Sequence, residues 1–183
     1  MRRWGTPAVA IVLGALLAIG VGIAVATRDA AGPAPSAQPR GVPRTGAGDT
    51  SVEMSADAAA HPAGLIVRDL LQRHYDAINA RDYAGWRATV VPERSERFTE
   101  PEWRAAYAST RDGTIRVDRI DQAAGGEDAG LLVRVRFVST QDVQDAPADL
   151  QVPRICWRST LPVRGLPPLI DVTGAGSSLR EAC

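Results

Sequence analysis

Residues 64–86, GLIVRDLLQRHYDAINARDYAGW, decide the fold. Val67, Leu71, His74 and Ile78 recur at helical spacing, and Leu70 and Tyr75 widen the stripe. One face of this helix is therefore apolar enough to lie on a core. Asp69, Gln72, Arg73, Asp76 and Asn79 take the other side. Asn79-Ala80-Arg81 ends the helix, and Asp82 is a good N-cap for a second, over 83–90, which carries Tyr83, Trp86 and Val90 on one side. Pro92 stops it. Thr99-x-x-Glu102 is a capping box with Pro101 in the first turn, so a third helix begins there, with Trp103, Ala106 and Tyr107 on its apolar face.

Downstream the period changes to two. Asp112-Gly113 reads as a turn, after which Ile115 and Val117 alternate with Arg116 and Asp118. Gly125-Gly126 breaks the run. Leu131, Val133, Val135 and Phe137 then alternate with Leu132, Arg134, Arg136 and Val138, giving a strand with one apolar and one Arg-bearing face. A loop over 142–153 leads to a strand with Ile155, Trp157, Ser159, Leu161 and Val163 on one side, a turn at 164–168 and a short last strand at 169–172. Three helices followed by about four strands predict an α+β fold with an antiparallel sheet.

These segments carry a resemblance. LLQRHYDAINARDYAGW (70–86), the Trp- and Tyr-bearing third helix, RFVSTQD (136–142), CWRSTLPV (156–163) and LIDV (169–172) resemble the nuclear transport factor 2-like superfamily. The likeness is greatest to membrane-anchored extracytoplasmic members from high-GC bacteria. Their opening helix has a pattern matched here by Tyr75, Ala77, Ile78, Asn79, Arg81, Asp82, Tyr83 and Trp86, with His74 at its first aromatic position. The resemblance covers about residues 65–175. It implies a cone over 63–183, with three helices on the concave side of a curved antiparallel sheet. The chain departs from the pattern at Leu166-Pro167-Pro168-Leu169, where two prolines should shorten the last hairpin or place it at an edge.

Upstream, residues 7–26, PAVAIVLGALLAIGVGIAVA, are uncharged. As a helix they would span roughly 30 Å, the thickness of a bilayer's hydrocarbon. The run is longer than a usual signal-peptide core, which favours an uncleaved transmembrane anchor; Ala24-Val25-Ala26 also fits signal peptidase, which would make the chain secreted. Arg2 and Arg3 precede the run and Arg28, Arg40 and Arg44 follow it, so the flanking charges do not set its direction. A lone N-terminal helix with a short tail (1–6) places that tail in the cytoplasm and the following domain outside. Residues 27–62, rich in Pro, Ala and Gly, predict a disordered linker. From Pro62 onward 16 Arg face 17 Asp plus Glu, a balance of −1, which offers no footprint for nucleic acid.

The candidate chemistry is sparse. Cys156 and Cys183 are the only cysteines, and an even count in an exported domain favours a disulfide; a buried thiol and a free one is the other reading. No Gly-rich phosphate loop, nucleophile elbow or metal motif appears, so neither a cofactor nor a metal is expected. His61, at the linker's edge, carries no role. His74, on the apolar stripe, is the strongest acid/base candidate, with Asp118 and Asp121 as strand carboxylates that would accompany it. Each also reads as ordinary: a core-edge histidine bonded to backbone, and carboxylates on a solvated face. Arg134 and Arg136 share a sheet face and read either as an anion pocket or as partners of acids on a neighbouring strand. Two functions follow. One is a non-catalytic extracytoplasmic module that binds a partner protein or small ligand, or pairs with a second copy through its sheet. The other is a cone-pocket isomerase, dehydratase or cyclase. A cone filled by Trp86, Trp103, Tyr107, Phe137 and Trp157 would exclude the enzyme; an open apolar pocket with His74 beside an Asp would favour it.

Overall fold

The apolar stripe of residues 64–80 becomes the central helix. In the computed structural model, which describes residues 41–125 and 130–183, α2 (Gly64–Ala80) buries Val67, Leu70, Leu71, His74, Tyr75, Ala77 and Ile78. It stops at Arg81, which adopts a left-handed conformation (φ 58°) as its C-cap. The Arg81 guanidinium offsets the cost of that conformation by donating to Ala108 O (2.9 Å) and Asn79 O (2.7 Å). Asp82 caps α3 (Tyr83–Arg87). Pro92, expected only to end a helix, also opens a one-turn helix, α4 (Pro92–Ser95), where its fixed φ and missing N–H suit the first turn. The capping box at Thr99 and Glu102 forms as read and starts α5 (Glu100–Ala106).

A mixed sheet of six strands carries these helices: β1 (Glu53–Met54), β2 (Arg111–Gln122), β3 (Leu131–Thr140), β4 (Arg154–Arg164), β5 (Leu169–Ile170) and β6 (Ser178–Ala182). The order is β1-β2-β3-β4, with β5 and β6 both on the far side of β4, at opposite ends of it. All pairings are antiparallel except β1 with β2, which is parallel. The double proline confines β5 to two residues. The Gly- and Ser-rich tail ends in β6, which the Cys156–Cys183 disulfide (Cα–Cα 5.1 Å) fixes to β4. Closing a 27-residue separation stabilises the fold by roughly 3.5 kcal/mol in the chain-entropy model.

The expected linker ends earlier than its composition implies. Residues 41–62 lie within 27–62, yet they include β1 and α1 (Ala56–Ala60), and Ala47, Val52 and Ala58 are buried. Polar side chains of the domain hold this segment: Gln72 Oε1 accepts from Val52 N (2.8 Å), and Thr114 Oγ1 donates to Ala47 O (2.6 Å). Asp112-Gly113 is likewise no turn; both residues lie within β2, opposite Ser139 and Val138. Glycine is needed at 113 for close approach, because a Cβ there would lie 2.7 Å from Gly48 O and 2.8 Å from Ala47 O. The pairing of β2 with β3 then shifts between Gly113 and Arg116, where Thr114 has a φ of 50°.

The inner face of the sheet changes character along its strands. Ile115, Val117, Ile120, Val133, Val135, Leu161 and Val163 form one core cluster with the apolar face of α2. Trp86 and Trp103 are buried in an aromatic group with Tyr83. Further along the same face come Asp112, Phe137, Ser139, Trp157 and Ser159, where the sheet and α2 leave a cavity between them. The apolar run at 7–26 lies outside the described residues; among those described, no helix is long and apolar enough to cross a membrane.

Candidate functional site

The cavity measures about 400 Å³. Helix α2 contributes His74, Tyr75 and Ile78, α4 contributes Arg94, and α5 with its C-cap contributes Ala106 and Tyr107. The sheet supplies Asp112, Phe137 and Trp157, and the loop after β3 supplies Gln141, Asp145 and Pro147. The aromatic lining is continuous: Phe137 packs on Tyr75 (5.1 Å) and stacks on Trp157 (5.8 Å, interplanar angle 6°). Trp157 is held by its own Nε1–H, which donates to Ser139 Oγ (2.8 Å).

Asp112 is the most demanding group in this lining. Only 3% of it is exposed, and its Oδ1 is buried without a hydrogen-bond partner. Burial raises its carboxyl from 3.8 to about 7, against the opposing field of Arg81. Its backbone is set by Asn79 at the end of α2. Asn79 Oδ1 accepts from Asp112 N (2.8 Å), and Asn79 Nδ2 donates to Asp112 O (2.9 Å). The side-chain amide thus acts as a one-residue strand partner and fixes Asp112 at the cavity.

His74 is held as a neutral ring. The Thr89 hydroxyl donates its one proton to Trp86 O (2.7 Å), so at the 2.7 Å contact between His74 Nδ1 and Thr89 Oγ1 the imidazole is the donor. Nε2 is then the lone-pair nitrogen, and it has no hydrogen-bond partner among the described residues. Burial, and secondarily the charge of Arg94, lower this histidine from 6.5 to about 3. Arg94 donates from Nη1 to Asp171 O (3.1 Å) and makes no ion pair among the described residues. Tyr75 and Tyr107 keep their phenolic protons; burial is the main cause, and the Asp112 carboxyl adds to it.

The sequence candidates separate onto two faces. His74 lines the cavity. Asp118, Asp121, Arg134 and Arg136 lie on the outer face of the sheet, where Arg136 pairs with Asp118 (3.2 Å) and Arg134 with Asp121 (3.3 Å). Arg116 adds Asp118 (3.2 Å), Arg119 adds Asp121 (2.5 Å), and Arg158 pairs with Glu181 (3.2 Å). Each aspartate is thus shared by one arginine of β2 and one of β3, and none of Asp118, Asp121, Arg134 and Arg136 lines His74's cavity. Cys156 and Cys183 are joined, and their sulfurs serve structure. Among the described residues no cluster of side chains could hold a metal ion.

Sequence reading passed over Asp112, Arg94, Tyr75 and Tyr107 as site residues. One signal for the cavity was present. In β3 and β4 the apolar register that runs Val133, Val135, Phe137 and Leu161, Trp157 is continued or interrupted by Ser139 and Ser159. Polar residues in a core-facing register need a partner or a solvent-filled space. Comparison of the chain with protein-family models, with curated proteins and with solved structures finds no match.

Proposed function

We propose that this chain is a membrane-anchored, extracytoplasmic module of the nuclear transport factor 2-like type, and that it binds a small ligand in the cavity between α2 and the sheet. The observation that carries this reading is Asp112, a buried carboxyl with one oxygen unpartnered, among the residues that line an open cavity of about 400 Å³. A polar atom left so costs a folded chain about 1–3 kcal/mol unless something enters to satisfy it. The stacked Phe137 and Trp157 offer apolar surface for the rest of a ligand. The uncharged run at 7–26 supports the anchor, and the disulfide supports an oxidising compartment. Saturation-transfer NMR with a panel of small fragments tests the cavity. Fragments should bind the unmodified chain and be lost on Ala106→Trp, which fills the opening from the exposed side of α5; hits that survive this substitution would place binding elsewhere.

A second reading, acid/base catalysis by an isomerase, dehydratase or cyclase, is favoured by one observation: Asp112 is held at about 7, where it can both take and give a proton. In this reading Asp112 replaces Asp118 and Asp121 as the carboxylate, and the unprotonated His74 Nε2 is a second acceptor. Prolonged incubation of the bound fragments separates the two readings: an enzyme should convert a hit to product and lose that conversion with Asp112→Asn, whereas a binding module should return every hit unchanged.

A further inference from the structure

Among the cavity's unmated groups, two are of opposite charge type. Asp112 has a buried carboxylate oxygen with no donor. Arg94 spends one N–H on the Asp171 carbonyl and has no carboxylate partner among the described residues. The two do not pair with each other, and both line the same cavity. One stretch of the remaining wall is aromatic, from Tyr75 through Phe137 to Trp157, and polar side chains such as Ser139, Gln141 and Asp145 complete it. An occupant that satisfies these two groups needs an anionic acceptor for Arg94 and a donor for Asp112, and a flat apolar body suits the aromatic stretch.

We propose that the cavity recognises a small aryl carboxylate bearing a hydroxyl group, with its carboxylate on Arg94, its hydroxyl on Asp112 and its ring against Phe137 and Trp157. This assignment rests on the reading of the cavity as a ligand site. A guanidinium offers a carboxylate two parallel N–H donors, and four of the five N–H groups of Arg94 have no protein acceptor among the described residues. A hydroxyl suits Asp112 better than an ammonium does. It donates to the ionised carboxylate and accepts from the protonated acid, so it satisfies both states of a group that titrates near neutrality. An ammonium would have to be stripped of water completely to reach an oxygen this deeply buried.

The test uses the full chain in lipid nanodiscs and isothermal titration with three soluble probes of one shape: para-hydroxyphenylacetate, phenylacetate and para-hydroxyphenylacetamide. The first should bind about ten-fold more tightly than either of the others, since each comparator lacks one of the two polar contacts and leaves a buried group unmatched. Arg94→Gln should remove the preference for the acid over the amide and keep the preference for the hydroxyl. Equal binding of all three probes, on a chain whose fragment binding is lost with Ala106→Trp, overturns the ligand assignment and leaves the cavity reading standing. Failure of every probe and every fragment overturns both.

Discussion

Asp112 and His74 line the same cavity, yet burial moves them in opposite directions, and the sign of each can be worked out. Asp112 is held at about 7 against 3.8, so between those values the folded chain keeps a proton that the unfolded chain has released. Its contribution to stability is complete below about pH 4 and is lost as pH rises through 7. His74 is held at about 3 against 6.5; its contribution is complete above 6.5 and is lost as pH falls toward 3. From about pH 4 to 6.5 the two nearly cancel. Single substitutions should separate them under urea denaturation. Asp112→Asn should match the parent near pH 4 and exceed it above pH 7 by on the order of 4 kcal/mol. His74→Gln should gain on the parent steadily as pH falls from 6.5. A pH-independent difference for Asp112→Asn would mean that the carboxyl is already satisfied or solvated. Asp112 was hard to find from sequence because Asp-Gly is a strong turn signal and glycine leaves no record of why it is needed. Here Gly113 makes room for Gly48 O, a contact 65 residues away in the chain. His74 was legible because it interrupts an otherwise apolar stripe.

At the scale of elements, the connection between α2 and β2 is the one that builds the site. Asn79 closes it with two hydrogen bonds to the backbone of Asp112, and Arg111 Nη1 adds a third to Asn79 O (2.5 Å). Asn79→Ala leaves the Asp112 N–H and C=O without these partners and should cost about 2 kcal/mol. Hydrogen exchange should locate the loss: the amide of Asp112 should lose protection while those in the middle of β3 keep theirs. Uniform loss across the sheet would show Asn79 to be a global brace instead. The helices α2 and α5 could be read from periodicity and from a capping box, both of which are local. The strands β1 and β6 could not. Glu53–Met54 is too short to show alternation. Ser178–Ala182 follows a Gly- and Ser-rich stretch and is largely exposed, so no apolar face marks it. Both join the sheet through long-range pairing, β1 alongside Arg116 and Val117, and β6 along Ile155–Ser159 under the disulfide.

Across the whole described chain, the two sheet faces do different work, and residues 41–60 belong to that division. The outer face is a lattice of Arg–carboxylate pairs at mostly exposed positions, each worth at most about 1 kcal/mol and therefore marginal to stability. Stability comes from the inner face, and the N-terminal segment is part of it. Val52 and Ala58 sit in the same buried cluster as α2 and β2. Ser55 N donates to Val117 O (2.9 Å), Thr114 N to Asp49 O (2.6 Å), and Arg154 Nε to Gly46 O (2.9 Å). Burying a valine side chain fully is worth about 1.5–3 kcal/mol, and each net hydrogen bond about 1 kcal/mol. Removing the segment would therefore take several kcal/mol from a domain whose total is about 5–15 kcal/mol. A chain begun at residue 41 should give a dispersed amide spectrum and a cooperative unfolding transition. One begun at residue 63, where composition alone would start the domain, should lose both, because the edge of β2 and the Gly113 contact would stand open to water. If the shorter chain unfolded at the same denaturant concentration as the longer, residues 41–62 would be a spacer after all, and their contacts with Gln72, Thr114 and Arg154 would contribute nothing to the fold.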